Sequence, residues 1–435
     1  MTPQRGRSAF RALLLRDVLA RRSVLLAKAK RPLGDLNVIA KVTFGGVLHL
    51  RDDEAKRTYK GPLFEALPGD LIISKIRVGQ GSFCVIGNEM DHVAVSPEYP
   101  VYVPDTGKLS AEYLSLLLRT PMFLQSLTGS SSGNTTKRRI RPTFFEGLKI
   151  PLPPLAEQQA LVAAYRAAMA RAAADEAAAG TLEIQAAAAF AEALGLAPPA
   201  PLPDRPVFIA AFRDLDRWSH EAVLRRSTGG EAHETTFPSV RLGDVIADLQ
   251  NGWSPKCHDR PAQGDEWGVL KVSAASNGTY RAIENKGLPQ ALKPRPNYEV
   301  QPGDVLITRA SGAASLVGIP AFVDATPARL MLSDKLFRVV FRSESRIDPE
   351  FLAAALKQTA VRGQIFGEFS TESGMMKNIS KPALLALTFP LPPLETQRSL
   401  VAALAKARTR AAALRSAAVT ARTKARVEFE AAVYE

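Results

Sequence analysis

Basic and polar side chains gather at a few places in this sequence, and their chemistry suits the binding of a polyanion. The chain carries a formal net charge of +13 and has a pI near 9.8. Basic residues crowd the N-terminus, the segment TTKRRIRP (135–142) and the last predicted helix. Lys and Arg neutralise phosphates, so clustering in a loop favours a nucleic-acid partner. Arginine used for solubility alone is the alternative.

A second set of polar side chains follows a motif that occurs twice. LPGDLIISKIR (67–77) and QPGDVLITRAS (301–311) each join a Pro-Gly-Asp turn to an apolar strand. The strand ends carry donors able to bond phosphates and base edges: Ser74, Lys75 and Arg77 in the first copy, Thr308, Arg309 and Ser311 in the second. Asp70 and Asp304 are interpreted as turn formers.

Motifs for catalysis or metal binding are missing from the sequence. It has no Gly-rich lysine loop, no GxGxxG fingerprint and no Asn-Pro-Pro-aromatic or Asp-Pro-Pro-Tyr tetrapeptide of an adenine methyltransferase. The five histidines are scattered, and Cys84 and Cys257 form no CxxC pair. We therefore expect no catalytic residue, no metal site and no cofactor.

The paired motifs belong to a longer internal repeat. The hinge IPLPPLAEQ (150–158) returns as FPLPPLETQ (389–397), so that Gln158 matches Gln397. LSAEYLSLLLRTPMF (109–123) resembles IDPEFLAAALKQTAV (347–361), and LLLRDVLA (13–20) resembles VRLGDVIA (240–247). Four landmarks in one order predict a duplicated α+β domain of about 150 residues.

A long helix is predicted after each hinge. In the second, Leu400, Leu404, Ala407, Ala411, Leu414, Ala418, Ala421 and Ala425 repeat at spacings of four and three. The first has a similar seam, interrupted by Asp175, at Leu161, Tyr165, Ala168, Ala172, Ala179, Leu182, Ala186, Ala189 and Ala193. Small residues let helices approach closely, so we expect an antiparallel pair roughly 55–60 Å long. A lone solvated helix favoured by alanine is the alternative.

The rest of the sequence indicates a soluble, cytoplasmic chain. GLAPPAPLPDRPVF (195–208) predicts an extended linker. No apolar run approaches the roughly 20 residues that span a bilayer, and Asp17 interrupts the basic N-terminal segment before a signal-peptide core forms. We expect no membrane association.

The order repeat, hinge, helix, repeat, hinge, helix resembles the specificity subunit of type I restriction-modification systems over nearly the whole chain. The resemblance implies two α+β target-recognition domains separated by two long antiparallel coiled-coil-like helices. The expected domains are 1–154 and 238–389, the spacer helices 155–197 and 390–435, and the Pro-rich linker and connector 198–237.

The function implied by this resemblance is non-catalytic. Such a subunit recognises a bipartite target in double-stranded DNA and directs two adenine-N6 methyltransferase subunits to it; a nuclease-translocase subunit can join them. The alternative is a scaffold that binds nucleic acid without sequence preference and dimerises through its helices. Equal affinity for all duplexes would favour that alternative.

The resemblance also implies which residues face each partner. The expected DNA-binding residues are Ser74, Lys75, Arg77, Asn134, Lys137, Arg138 and Arg139 in the first repeat, and Asn251, Trp253, Lys256, Thr308, Arg309, Ser311, Lys377 and Asn378 in the second. Each is either a DNA contact or a structural or solvated residue. The residues expected near docked methyltransferases are Pro151, Pro153, Pro154, Leu155, Glu157, Gln158, Pro390, Pro392, Pro393, Leu394 and Gln397.

The first repeat departs from the family pattern near its start. It has LARRSVLLAKAK (19–30) where the second has LQNGWSPK (249–256). It either recognises a different target or relies more on phosphates.

Overall fold

The computed structural model describes residues 10–26, 32–76, 80–128, 139–196, 235–365 and 377–435. The chain divides into two compact units, and each is described by itself. Unit 1 contains Met1–Ala177 and Ala413–Glu435, and unit 2 contains Ala178–Ala412. Each unit therefore combines one repeat with the beginning of its own long helix and the end of the other long helix.

Unit 1 is a mixed fold of short strands and helices. Its strands are β1 (Ala12–Leu14), β2 (Leu19–Arg22), β3 (Asn37–Val42), β4 (Leu48–Leu50), β5 (Phe64–Ala66), β6 (Leu71–Ile73), β7 (Phe83–Val85), β8 (Val93–Val95), β9 (Val101–Pro104) and β10 (Lys149–Pro151). Its helices are α1 (Asp53–Arg57), α2 (Ala111–Leu117), α3 (Pro121–Thr128), α4 (Pro142–Glu146) and the first part of α5 (Leu155–Ala193). The sheets have the strand orders β2-β9-β6-β7, β4-β3-β8-β5 and β1-β10.

Unit 2 repeats this arrangement. Its strands are β11 (Ser239–Arg241), β12 (Ile246–Asn251), β13 (Gly268–Leu270), β14 (Asn285–Gly287), β15 (Val305–Thr308), β16 (Ala310–Ser311), β17 (Pro320–Phe322), β18 (Leu330–Met331), β19 (Leu336–Phe341), β20 (Lys377–Asn378) and β21 (Thr388–Pro390). Its helices are α6 (Leu242–Val245), α7 (Pro349–Leu356), α8 (Thr359–Arg362), α9 (Lys381–Leu385) and the first part of α10 (Leu394–Tyr434). The sheet β12-β19-β15-β17 corresponds to β2-β9-β6-β7, and β14-β13-β18 to β4-β3-β8.

The Pro-Gly-Asp turns form as the sequence predicts. Gly69 and Gly303 have φ values of 86° and 94°, which glycine adopts without strain. The Asp70 carboxylate accepts a hydrogen bond from the backbone N of Leu67 at 2.8 Å, and Asp304 accepts one from Gln301 at 2.9 Å. Both aspartates are thus turn formers, and each leads into a buried strand, β6 or β15.

The strand that contains the start of each hinge pairs with the first strand of the same repeat. β10 pairs antiparallel with β1, and β21 pairs in the same way with β11. The backbone N of Leu15 donates to the carbonyl of Leu148 at 2.9 Å, and Leu242 donates to Leu387 at 2.8 Å. The long helices begin directly after these strands.

The helical seams are confirmed in most of their length. In α10 the predicted positions are buried or half-buried, and Ala411 and Ala418 have no exposed surface. α10 packs against α5, whose Ala172 and Ala179 are equally buried. Near the end of α5, Ala189 is exposed, contrary to the predicted seam. The larger Phe190 is buried instead, because its ring packs on Phe351 with centroids 5.7 Å apart.

A glycine stops α5. Gly195 has φ 69°, its N donates to the carbonyl of Glu192 at 2.9 Å, and Leu196 N donates to Ala191 at 2.9 Å. This pair of bonds is a Schellman motif, which satisfies the last carbonyls of the helix.

The end of α10 completes the core of unit 1. Phe429 and Val433 are buried there, and the Phe429 ring lies 5.9 Å from Tyr113 and 6.1 Å from Tyr165 of α5. Arg422 binds both carboxylate oxygens of Glu176, at 2.9 and 2.6 Å. Because Tyr165 lies opposite Phe429 and Glu176 opposite Arg422, the two helices run antiparallel in this unit.

Across the described ranges, no helix is both long enough and apolar enough to cross a membrane.

Candidate nucleic-acid interface

In unit 2, strand pairing brings several predicted DNA-binding residues together. β16 pairs antiparallel with β20, with Ala310 opposite Asn378 and Ser311 opposite Lys377. Between β15 and β16 the backbone of Arg309 is fixed on both sides: its N donates to the carbonyl of Lys335 at 2.8 Å, and its carbonyl accepts from Ile379 at 3.0 Å. The segment before the second hinge therefore lies beside the strand end that follows the second Pro-Gly-Asp turn.

The Arg309 guanidinium is held by neighbouring groups. It lies 5.5 Å from the centre of the Phe337 ring, and its Nη1 donates to the carbonyl of Asp334 at 3.3 Å. The Asn251 side-chain amide is oriented so that both its oxygen and its nitrogen form hydrogen bonds. The oxygen accepts from Arg309 Nη1 at 3.1 Å, and the nitrogen donates to the Asp334 carbonyl at 3.2 Å. The half-buried Arg309 and the exposed Asn251 thus form one hydrogen-bonded group.

Asp334 supplies the negative charge of this group. Its carboxylate accepts from the Ser254 hydroxyl at 2.5 Å and from Lys335 Nζ at 3.1 Å. Burial alone would raise the pKa of Asp334, but the hydrogen bonds from Ser254 and Lys335 and the charges of Lys335 and Arg309 lower that pKa below its ordinary value. Asp334 is therefore ionised at neutral pH and balances part of the positive charge around it.

The segment Asn251-Gly252-Trp253, called the NGW segment below, lies next to the group of Arg309 and Asp334. Trp253 is half-buried, and the Arg295 guanidinium lies 4.2 Å from its ring centre. The backbone N of Trp253 donates to the carbonyl of Leu332 at 2.9 Å. A Cβ at Gly252 would lie 2.1 Å from that same carbonyl oxygen, which explains why glycine precedes the tryptophan. Lys256 is exposed.

Three predicted hydroxyl residues have structural hydrogen bonds. Thr308 has 0% exposure; its hydroxyl donates to the Leu316 carbonyl at 2.6 Å and accepts from Ile319 N at 2.8 Å. Buried Ser311 accepts from Ala313 N at 3.3 Å, and buried Ser74 donates to the Ile76 carbonyl at 2.7 Å. These local bonds to the backbone stabilise turns, and this structural role accounts for a hydroxyl residue at each of the three positions. A DNA contact from them stays a prediction, and their burial gives it no support.

Unit 1 has the same backbone frame with different side chains. Lys75 occupies the position of Arg309: its N donates to the carbonyl of Glu98 at 2.9 Å, and its carbonyl accepts from Ile140 at 2.8 Å. Arg139 lies opposite Ile76 in an isolated bridge and forms an exposed ion pair with Glu98. Glu98 thus stands where unit 2 has Lys335, so the two strand ends differ in charge.

Four predicted residues lie outside the described part of the chain. They are Arg77, Asn134, Lys137 and Arg138.

The two hinge glutamines lie inside their units. Gln158 and Gln397 have 0% exposure. The amide of Gln158 donates to the carbonyls of Lys108 and Pro153, both at 2.8 Å, and Gln397 donates to Arg346 and Pro392 at 2.9 and 2.7 Å. Each glutamine therefore ties its helix to the loop that precedes α2 or α7.

Burial also divides the other hinge residues predicted to contact a partner. Pro151, Pro153, Pro390 and Pro392 are buried, and Leu155 is half-buried. Exposed surface remains at Pro154, Glu157, Pro393 and Leu394. A docking role for these residues stays a prediction.

Asp334 and Glu98 were not predicted from the sequence as parts of the site. Neither lies in a recognisable motif. Asp334 meets Arg309 because β19 pairs with β15, and Glu98 meets Lys75 near the β6–β9 pairing. Once the repeat is aligned, the register of these strands is the signal that could have found them.

Within the ranges that the structure describes, no group of three or more His, Cys, Asp and Glu side chains could hold a metal ion.

Known proteins similar to this chain share one description. The chain is 27% identical over 415 residues to the Type I restriction enzyme EcoEI specificity subunit of Escherichia coli, covering 82% of this chain and 67% of that protein. It is 22% identical over 351 residues to the EcoKI specificity subunit of Escherichia coli strain K12, covering 77% and 66%. It is 21% identical over 301 residues to the StySPI specificity subunit of Salmonella potsdam, covering 67% and 57%. The matches therefore span about two thirds or less of these relatives' own lengths.

Solved structures resemble this chain in fold. One comes from work on complex assembly and conformational transition of the type I R-M system; its TM-score is 0.61 at 19% identity, with 99% of this chain and 98% of that chain covered. The crystal structure of the HsdS subunit from Thermoanaerobacter tengcongensis gives a TM-score of 0.51 at 19% identity, with 100% and 98% covered. No family model matches the chain. The chain is therefore similar in sequence to specificity subunits of type I restriction enzymes, and its duplicated units of mixed helices and strands are similar in fold to a solved HsdS subunit.

Proposed function

We propose that this chain is a non-catalytic DNA-specificity subunit that recognises a bipartite target and directs adenine-N6 methyltransferase subunits to it. The observation that carries the proposal is the backbone arrangement that both units share at the end of β6 and of β15. Lys75 and Arg309 have equivalent backbone hydrogen bonds, yet Glu98 replaces Lys335 beside them. Two equal frames with unlike side chains suit two half-sites of different sequence.

The chemistry of unit 2 fits recognition of base edges. A guanidinium can bond O6 and N7 of guanine together, and an amide can bond N6 and N7 of adenine. Arg309 is pre-oriented by Phe337 and Asn251, so less side-chain entropy is lost on binding. Lys256 and Lys377 supply phosphate contacts in this proposal, which position the domain without reading sequence.

The helices set the spacing of the half-sites in this proposal. α5 and α10 are uninterrupted helices of 39 and 41 residues, and each contributes residues to both compact units. A seam of small, buried residues resists sliding because each alanine contacts its neighbours closely. The number of base pairs between half-sites then follows from helix length.

The exposed hinge residues are the proposed docking points for two methyltransferase subunits. Exposed side chains lie beside each helix start: Pro154 and Glu157 in the first hinge, and Pro393 and Leu394 in the second. Of these, Pro154 and Pro393 occupy equivalent positions of the repeat. A nuclease-translocase subunit joins the same complex when restriction accompanies modification. We propose that the complex acts in the cytoplasm, where the host DNA lies.

The test is the adenine methylome of the host with and without the gene. A bipartite motif should lose methylation on deletion and regain it on complementation. Complementation with Arg309→Ala should change or abolish methylation of one half-site, whereas Arg410→Ala, which removes the same charge from an exposed position of α10, should restore the original motif. An unchanged methylome after deletion would refute the modification role.

Competition binding separates the specificity subunit from a non-specific scaffold. The purified chain should bind a duplex with the recovered motif at least about 1,000-fold more tightly than a random duplex at physiological salt. Equal affinities would support the scaffold.

A further inference from the structure

The hairpin of β3 and β4 in unit 1 exposes apolar side chains at its tip. The tip sequence is Thr43-Phe44-Gly45-Gly46-Val47, and the side chains of Phe44 and Val47 are 50% and 59% exposed. Fully exposing such groups to water is unfavourable compared with burying them against a partner. This tip is therefore a candidate contact surface.

The hairpin tip is rigidly anchored. Thr43 and Val47 are joined by a backbone bond at 3.0 Å, and Val47 N also donates to the Thr43 hydroxyl at 3.0 Å. Arg119 reaches under the tip, donating to the carbonyl of Phe83 at 3.1 Å and to that of Gly45 at 3.4 Å. An apolar side chain on a fixed support can be inserted into a partner with little loss of entropy.

Close backbone contacts leave room only for glycine under this tip. Gly46 has φ 79°, and a Cβ there would lie 1.8 Å from Arg119 Nη2 and 2.8 Å from the Phe83 carbonyl oxygen. A Cβ at Gly81 would lie 2.6 Å from the Phe44 carbonyl oxygen. The tip is thus pressed against β7 while its apolar side chains remain outside.

The surroundings of the tip match a polyanion. Lys41 lies opposite His49 in the hairpin, both are exposed, and no Asp or Glu occurs between Leu36 and Arg51. The tip also adjoins the strand end of unit 1. Gly81 touches it, and the next residue, Ser82, accepts from the backbone N of Ser74 at 2.8 Å, directly before Lys75.

We propose that Phe44 is an apolar wedge that inserts between base pairs when unit 1 binds duplex DNA. The strands on both sides of the tip carry Lys41 and His49 and no carboxylate. Architectural proteins use an apolar side chain in basic surroundings to unstack a base step and bend the duplex. The proposal rests on the DNA-binding function proposed above. It also gives unit 1, which lacks the NGW segment, its own means of selecting easily unstacked steps.

The test uses the full-length chain without methyltransferase subunits, because those extrude adenine themselves. Two probes are used: a duplex with the motif recovered from the methylome and a mixed-sequence duplex, each with 2-aminopurine placed in turn at successive adenines. Wild-type protein should raise the fluorescence at one step or two adjacent steps. Phe44→Ala should lose that rise and bind about 5- to 150-fold more weakly, the range for one lost stacking contact.

Two further variants control this experiment. Phe44→Trp should keep the fluorescence rise, because an indole ring also stacks. Leu50→Ala removes another exposed apolar side chain at the base of the same hairpin and should behave as wild type. Unfolding curves should coincide for all variants, since Phe44 is half exposed.

The outcomes separate this inference from the proposed function. If wild type prefers the motif and Phe44→Ala keeps the full fluorescence rise, the wedge is refuted and the specificity function stands. If wild type shows no motif preference but Phe44→Ala loses the rise on the mixed-sequence duplex, the wedge stands and specificity fails. Loss of methyltransferase binding or of self-association in Phe44→Ala, with DNA distortion intact, would make the tip a protein contact and refute the wedge.

Discussion

The buried side-chain amide of Gln158 accepts a hydrogen bond from the backbone N of Ser110 at 2.8 Å, at the start of α2. Gln397 accepts from Asp348 at the same distance, at the start of α7. Each glutamine also donates two bonds to carbonyls, so one side chain satisfies three backbone groups. The hinge is thus a hydrogen-bonded joint, and its two copies have the same chemistry.

Replacing Gln158 by alanine should destabilise unit 1 by about 1–3 kcal/mol, because buried backbone groups lose their partners. Chemical denaturation of the full chain measures the change. Gln159→Ala is the matched control, since its neighbouring side chain is exposed, and it should stay within about 0.5 kcal/mol of wild type. Equal stabilities for the two variants would contradict the stabilising role of the Gln158 hydrogen bonds.

Phe429→Ala should destabilise unit 1 by about 3–5 kcal/mol, because it empties an aromatic site between Tyr113 and Tyr165. Amide exchange should accelerate in β6 and β9 more than in β15 and β19. Val427→Ala, at a 60% exposed position of the same helix, should leave exchange unchanged. Uniform acceleration across both units would show that Phe429 does not act locally.

Gly252→Ala should destabilise unit 2 by about 1–3 kcal/mol, because the new methyl group would meet the Leu332 backbone and displace Asn251 and Trp253. Gly312→Ala is the control: a Cβ there meets nothing within 4 Å. Urea unfolding distinguishes them. A Gly252→Ala protein as stable as wild type would mean that the segment relaxes freely.

Lys357 should make unit 2 more stable as the pH rises above neutrality. Burial, and then the charge of Arg408, lower its pKa from 10.5 to about 8, against the opposing effect of Glu350. The unfolded chain therefore binds the proton more tightly between about pH 8 and 10.5, so in this window stability increases with pH. Denaturation midpoints at pH 7.5 and 9.5 measure the slope.

Lys357→Met should remove that increase, whereas Lys406→Met, at an exposed position, should retain it. The same increase in all three proteins would assign the slope to other groups.

Much of the fold follows from local patterns in the sequence. The Pro-Gly-Asp turns, the helices α2 and α7 and the alternating seam of α10 depend on nearest neighbours along the chain, and all were predicted. The shift from Ala189 to Phe190 was not, because it depends on the space around Phe351 in a distant segment.

The candidate site could be predicted only in part. The sequence located Asn251, Arg309 and Asn378 separately. Only strand pairing brings Asn251 and Arg309 beside Asp334 and places Asn378 opposite Ala310. Burial of Thr308 could not be inferred from its polar type, because its partners, the backbone groups of Leu316 and Ile319, lie in the following turn. The side chains that differ between units, Glu98 and Lys335, required the aligned register.

The placement of Phe429 and Val433 in unit 1 also constrains biosynthesis. The first repeat leaves the ribosome well before these residues are translated. At ~5–20 residues per second, the chain between Ala177 and Glu435 takes roughly 10–50 s to make. During that interval the apolar surface that Phe429 and Val433 later cover is left open in the nascent first domain, and exposed apolar surface of this kind favours aggregation.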